Sequence, residues 1–247
     1  MNGFGKGLFG IPPIVKNLIF INIIMLLAYY AVGSVFDVDL NRMLGLYFPK
    51  SEQFKPIQII THMFMHSGFG HLFFNMFALY MFGQVLETVW GPKRFLIYYF
   101  VCGLGAVVIH ESVVAIQYVH LTNAITPENL QLVLNEGTAY FNQGKVFTDP
   151  TMQSLQLLLN TPTVGASGAI FGVLLAFGVL FPNTQLMLLF PPIPIRAKYF
   201  VGIYGAVELI LAVSQPGSSI AHAAHIGGML FGYLLIRYWR KTTNTLY

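Results

Sequence analysis

Charge is what this chain has least of. Only 9% of its 247 residues are Asp, Glu, Lys or Arg, where a soluble domain carries about 25%. With 55% hydrophobic residues and a mean hydropathy of +0.66, there is too little polar surface to face water on all sides. The reading is an integral membrane protein. Cysteine is nearly absent as well. Cys102 stands alone inside an apolar run, which excludes an intrachain disulfide and leaves the redox compartment unread. The net charge of +4 and pI near 9.1 come without any basic cluster interleaved with aromatics, so no nucleic acid partner is expected. Internal repeats and low-complexity tracts are missing too.

What the chain does have is long apolar runs. A helix that spans a bilayer needs about 20 mostly apolar residues. Six runs qualify, at about 18–36, 71–89, 95–116, 165–181, 199–213 and 222–239. The fifth is short and carries Glu208. The first run has no small-residue cleavage pattern after it and reads as a retained span, not a signal peptide. With both termini inside, nine of the thirteen basic residues fall on inner segments: Lys6, Lys16, Lys93, Arg94, Arg196, Lys198, Arg237, Arg240 and Lys241. Arg42, Lys50, Lys55 and Lys145 fall outside, together with seven of the nine acids. Basic residues favour the inner side, so the expectation is an all-α polytopic bundle of six spans, N-in and C-in. All of 1–247 would form one membrane domain.

An outer insertion is expected at 117–164, with two short helices. Thr126 and Asp149 would cap them, each followed by a proline at the first helical position, and Gly137 would stop the first. "PPIP" at 191–194 marks the loop before the fifth span.

In this arrangement spans two, four and six all begin at the outer face. Their first turns hold His71 and Asn75, Ser167, and His222 and His225. At 1.5 Å of rise per residue these groups lie roughly 5–10 Å below the boundary, at one depth in one leaflet. Each alone has a bland explanation. Ser167 sits among Gly165, Gly168 and Gly172, which suit close helix packing. His62 and His66, at i and i+4, could ligate a metal, but no Glu follows His62 to act as a general base. Polar groups inside spans tend to mark function, and their convergence outweighs the separate readings. A serine hydroxyl becomes a nucleophile when a neighbouring imidazole takes its proton. His71, Asn75 and the backbone N–H of Ser167 are donors suited to an oxyanion. No acid stands near either histidine, so the reading is a Ser-His dyad built on Ser167 and a histidine from another helix, without metal or cofactor.

These residues resemble the rhomboid family of intramembrane serine proteases. "GASG" at 165–168 is similar to its GxSG motif, "AHIGG" at 224–228 to its AHxxG motif, and "HSGFGHLFFN" at 66–75 to its HxxxxHxxxN motif. The resemblance covers roughly residues 15–240. It implies Ser167 as nucleophile, His225 as base, and His71 and Asn75 lining the oxyanion hole. Its expected partners are transmembrane protein substrates within the lipid bilayer. The family's first outer loop often has a Trp-Arg pair; here that place reads Ile57-Gln58, which bears on how the loop seats. His222 lacks a motif match and is expected to support His225. Glu208 is a further supporting or gating candidate, because the fifth span borders the family's lateral substrate route. Glu87 reads as a structural hydrogen-bonding group.

The alternatives are a non-catalytic rhomboid-like protein that binds membrane helices, and a transition-metal carrier built on the histidines. No organelle-targeting presequence is visible, so a bacterial inner membrane is the expected location.

Overall fold

A computed structural model describes residues 10–187, 192–214 and 221–242. Lys6 and Pro191 lie outside these described residues. The chain begins with α1 (Pro13–Phe36), where Pro13 occupies the first helical position that needs no N–H donor. The next two N–H groups of that turn, on Ile14 and Val15, donate to the two carboxylate oxygens of Glu87 at 2.9 and 2.8 Å. Glu87 is therefore the cap of a distant helix.

The first outer loop carries α2 (Leu40–Leu44) and α3 (Gln58–Thr61), which runs into a 3₁₀ turn at His62–Phe64. Then α4 (Phe69–Ala78) passes through a π turn at Leu79–Gly83 into α5 (Gln84–Trp90), a continuous helix of 22 residues. α6 (Pro92–Asn123) has 32 residues, roughly 48 Å of helix against a hydrocarbon core of about 30 Å. It continues past residue 117, where a loop was expected. Its last turns form the platform for α7 (Pro127–Asn142) and α8 (Pro150–Asn160), with Val114, Tyr118 and Leu121 packed against Phe48, Val133, Leu155 and Leu159.

Thr126 and Asp149 cap these two helices as expected, their side-chain oxygens accepting first-turn N–H groups. Gly137 does not stop α7. It lies inside the helix, where its carbonyl accepts from Gln156 Nε2 at 2.8 Å, and the chain turns only at Gly144, with φ +72°.

α9 (Ser167–Leu180) is the centre of the bundle, with eleven of its 14 residues buried. The all-α expectation fails at one place. After α9 an antiparallel hairpin pairs β1 (Gln185–Met187) with β2 (Pro194–Arg196), Gln185 opposite Arg196. α10 (Ala197–Ser214) and α11 (His222–Thr242) follow. Among the described residues, α1, α4–α5, α6 and α10 are each long and apolar enough to cross a membrane. α9 is shorter, and the 21 residues of α11 open on histidines and close on Arg240 and Lys241.

Close packing joins α6, α9 and α11. A Cβ on Gly228 would collide with the carbonyl of Gly168, so the backbones of α9 and α11 touch where two helices normally keep side chains between them. Tyr98 of α6 donates to the Gly172 carbonyl at 2.8 Å, and Cys102 is buried against the same glycine. At the end of the bundle away from Ser167, Trp90, Tyr98 and Trp239 form an aromatic cluster with Arg94 over the Trp239 ring.

Candidate active site

The segment before α9 is held by the first outer loop. Leu46 and Thr163 exchange backbone hydrogen bonds of 2.9 and 2.8 Å, and the N–H of Gly165 donates to the His62 carbonyl at 2.9 Å. The loop is seated by polar groups turned inward. Gln58 is fully buried, its Nε2 donating to the carbonyls of Met43 and Gln53 at 3.2 and 3.1 Å, while Oε1 accepts from the Lys55 N–H. Thr61 donates to the Leu44 carbonyl at 2.6 Å, and Asn41 donates to that of His66 at 3.1 Å. The loop that lacks a Trp-Arg pair is thus anchored by Gln58 itself.

Ser167 is the first residue of α9, and Ala166 before it offers no side-chain cap. The first N–H groups of the helix therefore have no partner from capping, and they carry the positive end of the helix dipole. Gly165 has φ +132°, and a Cβ there would stand 2.9 Å from the His71 ring. Only glycine satisfies both demands. The imidazole of His71 consequently lies over the backbone two residues ahead of the serine.

The Oγ of Ser167 lies 2.9 Å from His225 Nε2. Phe171, one turn along α9, stacks on the His225 ring with centroids 4.0 Å apart and planes 8° from parallel. The expectation that no acid stands near either histidine is wrong. Glu208 Oε2 accepts from His225 Nδ1 at 2.8 Å and from His222 Nδ1 at 2.7 Å. Sequence separation hid this contact, because α10 brings the carboxylate from 17 residues upstream. The signal available was an ionisable side chain in an apolar helix, which needs a partner.

His71 and Asn75 are one turn apart on α4, and the His71 ring is the one that meets the backbone at Gly165. His71 Nδ1 is 3.1 Å from Ser67 Oγ. With that hydroxyl donating, the ring proton sits on Nε2, the nitrogen beside Gly165. Asn75 is buried and its Nδ2 donates to His66 Nε2 at 3.1 Å, using one of its two N–H groups. Two supporting residues escaped the sequence reading. One is Ser67. The other is His110 of α6, whose Nε2 meets Thr163 Oγ1 at 2.9 Å and ties α6 to the segment before the serine. A lone histidine in an apolar run was the only trace of it.

His62 and His66 do not converge on a metal position. His62 Nδ1 donates to the Gln58 carbonyl at 2.9 Å, whereas His66 is engaged with Asn75. Burial in the outer loop pushes His62 down to about 4 and His66 down to about 3, so both are neutral at pH 7. Among the described residues, the set that comes closest to a metal site is Glu208, His222 and His225, with ligand atoms all within 4.8 Å. Their mutual hydrogen bonds already account for that grouping.

The Rhomboid domain family model matches residues 53–242. RHOMBOID-like protein 12, mitochondrial, of Arabidopsis thaliana is 30% identical over 69% of this chain and 42% of that protein. Rhomboid protease AarA of Providencia stuartii is 29% identical over 70% of this chain and 52% of its own length. Putative rhomboid protease YdcA of Bacillus subtilis is 28% identical over 72% of this chain and 64% of its own length. The chain spans about half the length of the curated relatives it matches. Relatives named as mitochondrial stand beside bacterial ones, so the expected bacterial inner membrane gains no support. The match over most of the chain, together with the apolar helices, makes this an integral membrane protein of the rhomboid family.

Proposed function

We propose that this protein is an intramembrane serine endopeptidase, with Ser167 as nucleophile and His225 as general base. The observation that carries the reading is the 2.9 Å contact between Ser167 Oγ and His225 Nε2. That distance is within reach for proton transfer. As Oγ attacks the scissile carbonyl, its proton passes to Nε2 and negative charge develops on the substrate oxygen. The backbone N–H of Ser167, His71 Nε2–H and the second N–H of Asn75 are the donors proposed to receive it. The proton on His225 then goes to the leaving amine, and a water activated by the same nitrogen releases the acyl group. No metal or cofactor takes part in this scheme.

The proposed architecture is a single membrane domain of six spans, N-in and C-in, with the α7–α8 pair as an outer insertion. Lys16, Lys93, Arg94, Arg237, Arg240 and Lys241 gather at helix ends opposite the serine, in support of that orientation. α9 has only 14 residues, about 21 Å of helix in a core of about 30 Å. Its shortness supports a partly buried serine sunk below the outer boundary.

The proposed substrates are transmembrane proteins cut near the outer face. A peptide bond inside a helix is shielded and already hydrogen-bonded, so the segment to be cut must first become extended. The contact between serine and imidazole favours this reading over a rhomboid-like protein that only binds membrane helices.

The test is labelling of the detergent-solubilised protein with a fluorophosphonate probe, followed by cleavage of a single-span reporter in liposomes. Wild type is expected to label and cleave. Ser167→Ala and His225→Ala are expected to do neither. A folded wild type that stays unlabelled, or equal labelling of Ser167→Ala, refutes the proposal.

A further inference from the structure

We propose that Glu208 is the positioning carboxylate for His225, so that the site works as a Ser167–His225–Glu208 relay anchored a second time by His222. The inference rests on the protease reading above and goes beyond the two-residue chemistry that the sequence alone supports.

Placement is the first argument. Glu208 lies on α10, whose neighbouring residues Val207, Leu209 and Ile210 are 42%, 55% and 64% exposed, while Glu208 itself is 4% exposed. The helix turns one ionisable side chain inward and leaves its apolar neighbours outside. A buried carboxylate is costly unless hydrogen-bonded donors meet it. Here both donors are imidazoles, His222 and His225, three apart on one face of α11.

Tautomer control is the second. A neutral imidazole carries its proton on either nitrogen, and only one form can accept from a serine. A carboxylate oxygen accepts, so Nδ1 of His225 must donate to Glu208 Oε2. The lone pair is then on Nε2, the nitrogen that faces Ser167 Oγ. Phe171 fixes the plane of the ring, but stacking cannot tell the two ring nitrogens apart. The carboxylate can. It also stands 2.8 Å from the nitrogen on which imidazolium charge is shared once the serine proton has arrived, and in a water-poor site that attraction is strong.

His222 does not reach the serine in this geometry. It donates to the same Oε2 at 2.7 Å, which keeps the carboxylate from rotating away from His225. His222 thus acts on His225 through Glu208.

The experiment uses the full chain in liposomes and measures kcat, KM and the fluorophosphonate labelling rate, with the melting temperature as a check on folding. Removing the orienting acid from a serine relay costs up to about 10⁴ in kcat. Glu208→Gln is expected to lower kcat and the labelling rate on the order of 100-fold or more, with KM within about twofold. Glu208→Asp keeps a carboxylate one methylene further back and is expected to recover at least about a tenth of the wild-type kcat. His222→Ala should fall between wild type and Glu208→Gln.

A Glu208→Gln protein that keeps kcat within about threefold of wild type overturns the relay. So does an Asp variant that folds like wild type yet is no more active than Gln. Either result would leave the protease reading intact. An unlabelled, folded wild type overturns both.

Discussion

α9 and α10 approach the same imidazole from opposite sides, and they do so in opposite surroundings. α9 is enclosed by protein, with eleven of 14 residues buried and its backbone against that of α11. α10 buries three of its 18 residues, one of them Glu208, and presents Ile203, Ile210 and Val213 outward. The proposed nucleophile thus stands on the most enclosed helix among the described residues, and the carboxylate on a peripheral one. Close packing on all sides suits a group that must hold its geometry within tenths of an ångström. The peripheral helix instead holds its place partly through the polar contact at the site. On the proposed chemistry, Ser167 and the seating of α10 are coupled through His225.

The largest expected effect lies on the enclosed side. Ser167→Ala removes the attacking oxygen and should abolish fluorophosphonate labelling while leaving the melting temperature nearly unchanged, because a partly buried hydroxyl is lost from a helix start. Next comes Gly228→Ala. Its methyl group would strike the Gly168 carbonyl, and backbone cannot move aside as a side chain can. Overpacking of this kind costs about 1–3 kcal/mol, which a clear drop in melting temperature in detergent would register. If Gly228→Ala melts like wild type, the enclosed side is looser than its packing implies.

Much of this contrast was legible in the sequence, and the remainder was not for identifiable reasons. The motif residues Ser167, His225 and His71 stand out because they sit at helix starts with fixed spacings, and glycines at 165, 168 and 172 announced close packing. Caps were readable at Thr126 and Asp149, where local chemistry decides the structure. Gly137 misled because tertiary contact with Gln156 outweighs its low helix propensity. Glu208 was visible as an odd charge in an apolar span, yet its partners depend on how α10 leans on α11, which no local pattern encodes. Gln58 was read as an absence, a missing Trp-Arg pair, when its side chain was doing the anchoring.

A smaller effect concerns the loop that holds the enclosed side together. His62 and His66 are buried and neutral there, pushed from 6.5 to about 4 and about 3. The unfolded chain takes up a proton near 6.5 and the folded chain resists until those lower values. Between them the unfolded state binds more protons, so stability is full above pH 6.5 and declines as pH falls through that window. Melting temperature measured from pH 7 to pH 4.5 should fall in wild type. His66→Gln, which keeps an acceptor for Asn75 but cannot titrate, should melt lower at pH 7 and fall less steeply. Equal slopes would remove His66 from the account.

The smallest effect belongs to the peripheral side. Gly202 on α10 is exposed, and a Cβ there would meet nothing within 4 Å. Replacing a mid-helix glycine by alanine without a clash favours the helix by about 0.5–1 kcal/mol. Gly202→Ala should leave the melting temperature unchanged or raise it slightly, the reverse in sign of Gly228→Ala. The pair of substitutions adds the same methyl group to both helices, so their difference measures enclosure alone. Should Gly202→Ala prove as damaging as Gly228→Ala, α10 must pack against something at that face, and its seating would no longer depend chiefly on the Glu208 contact.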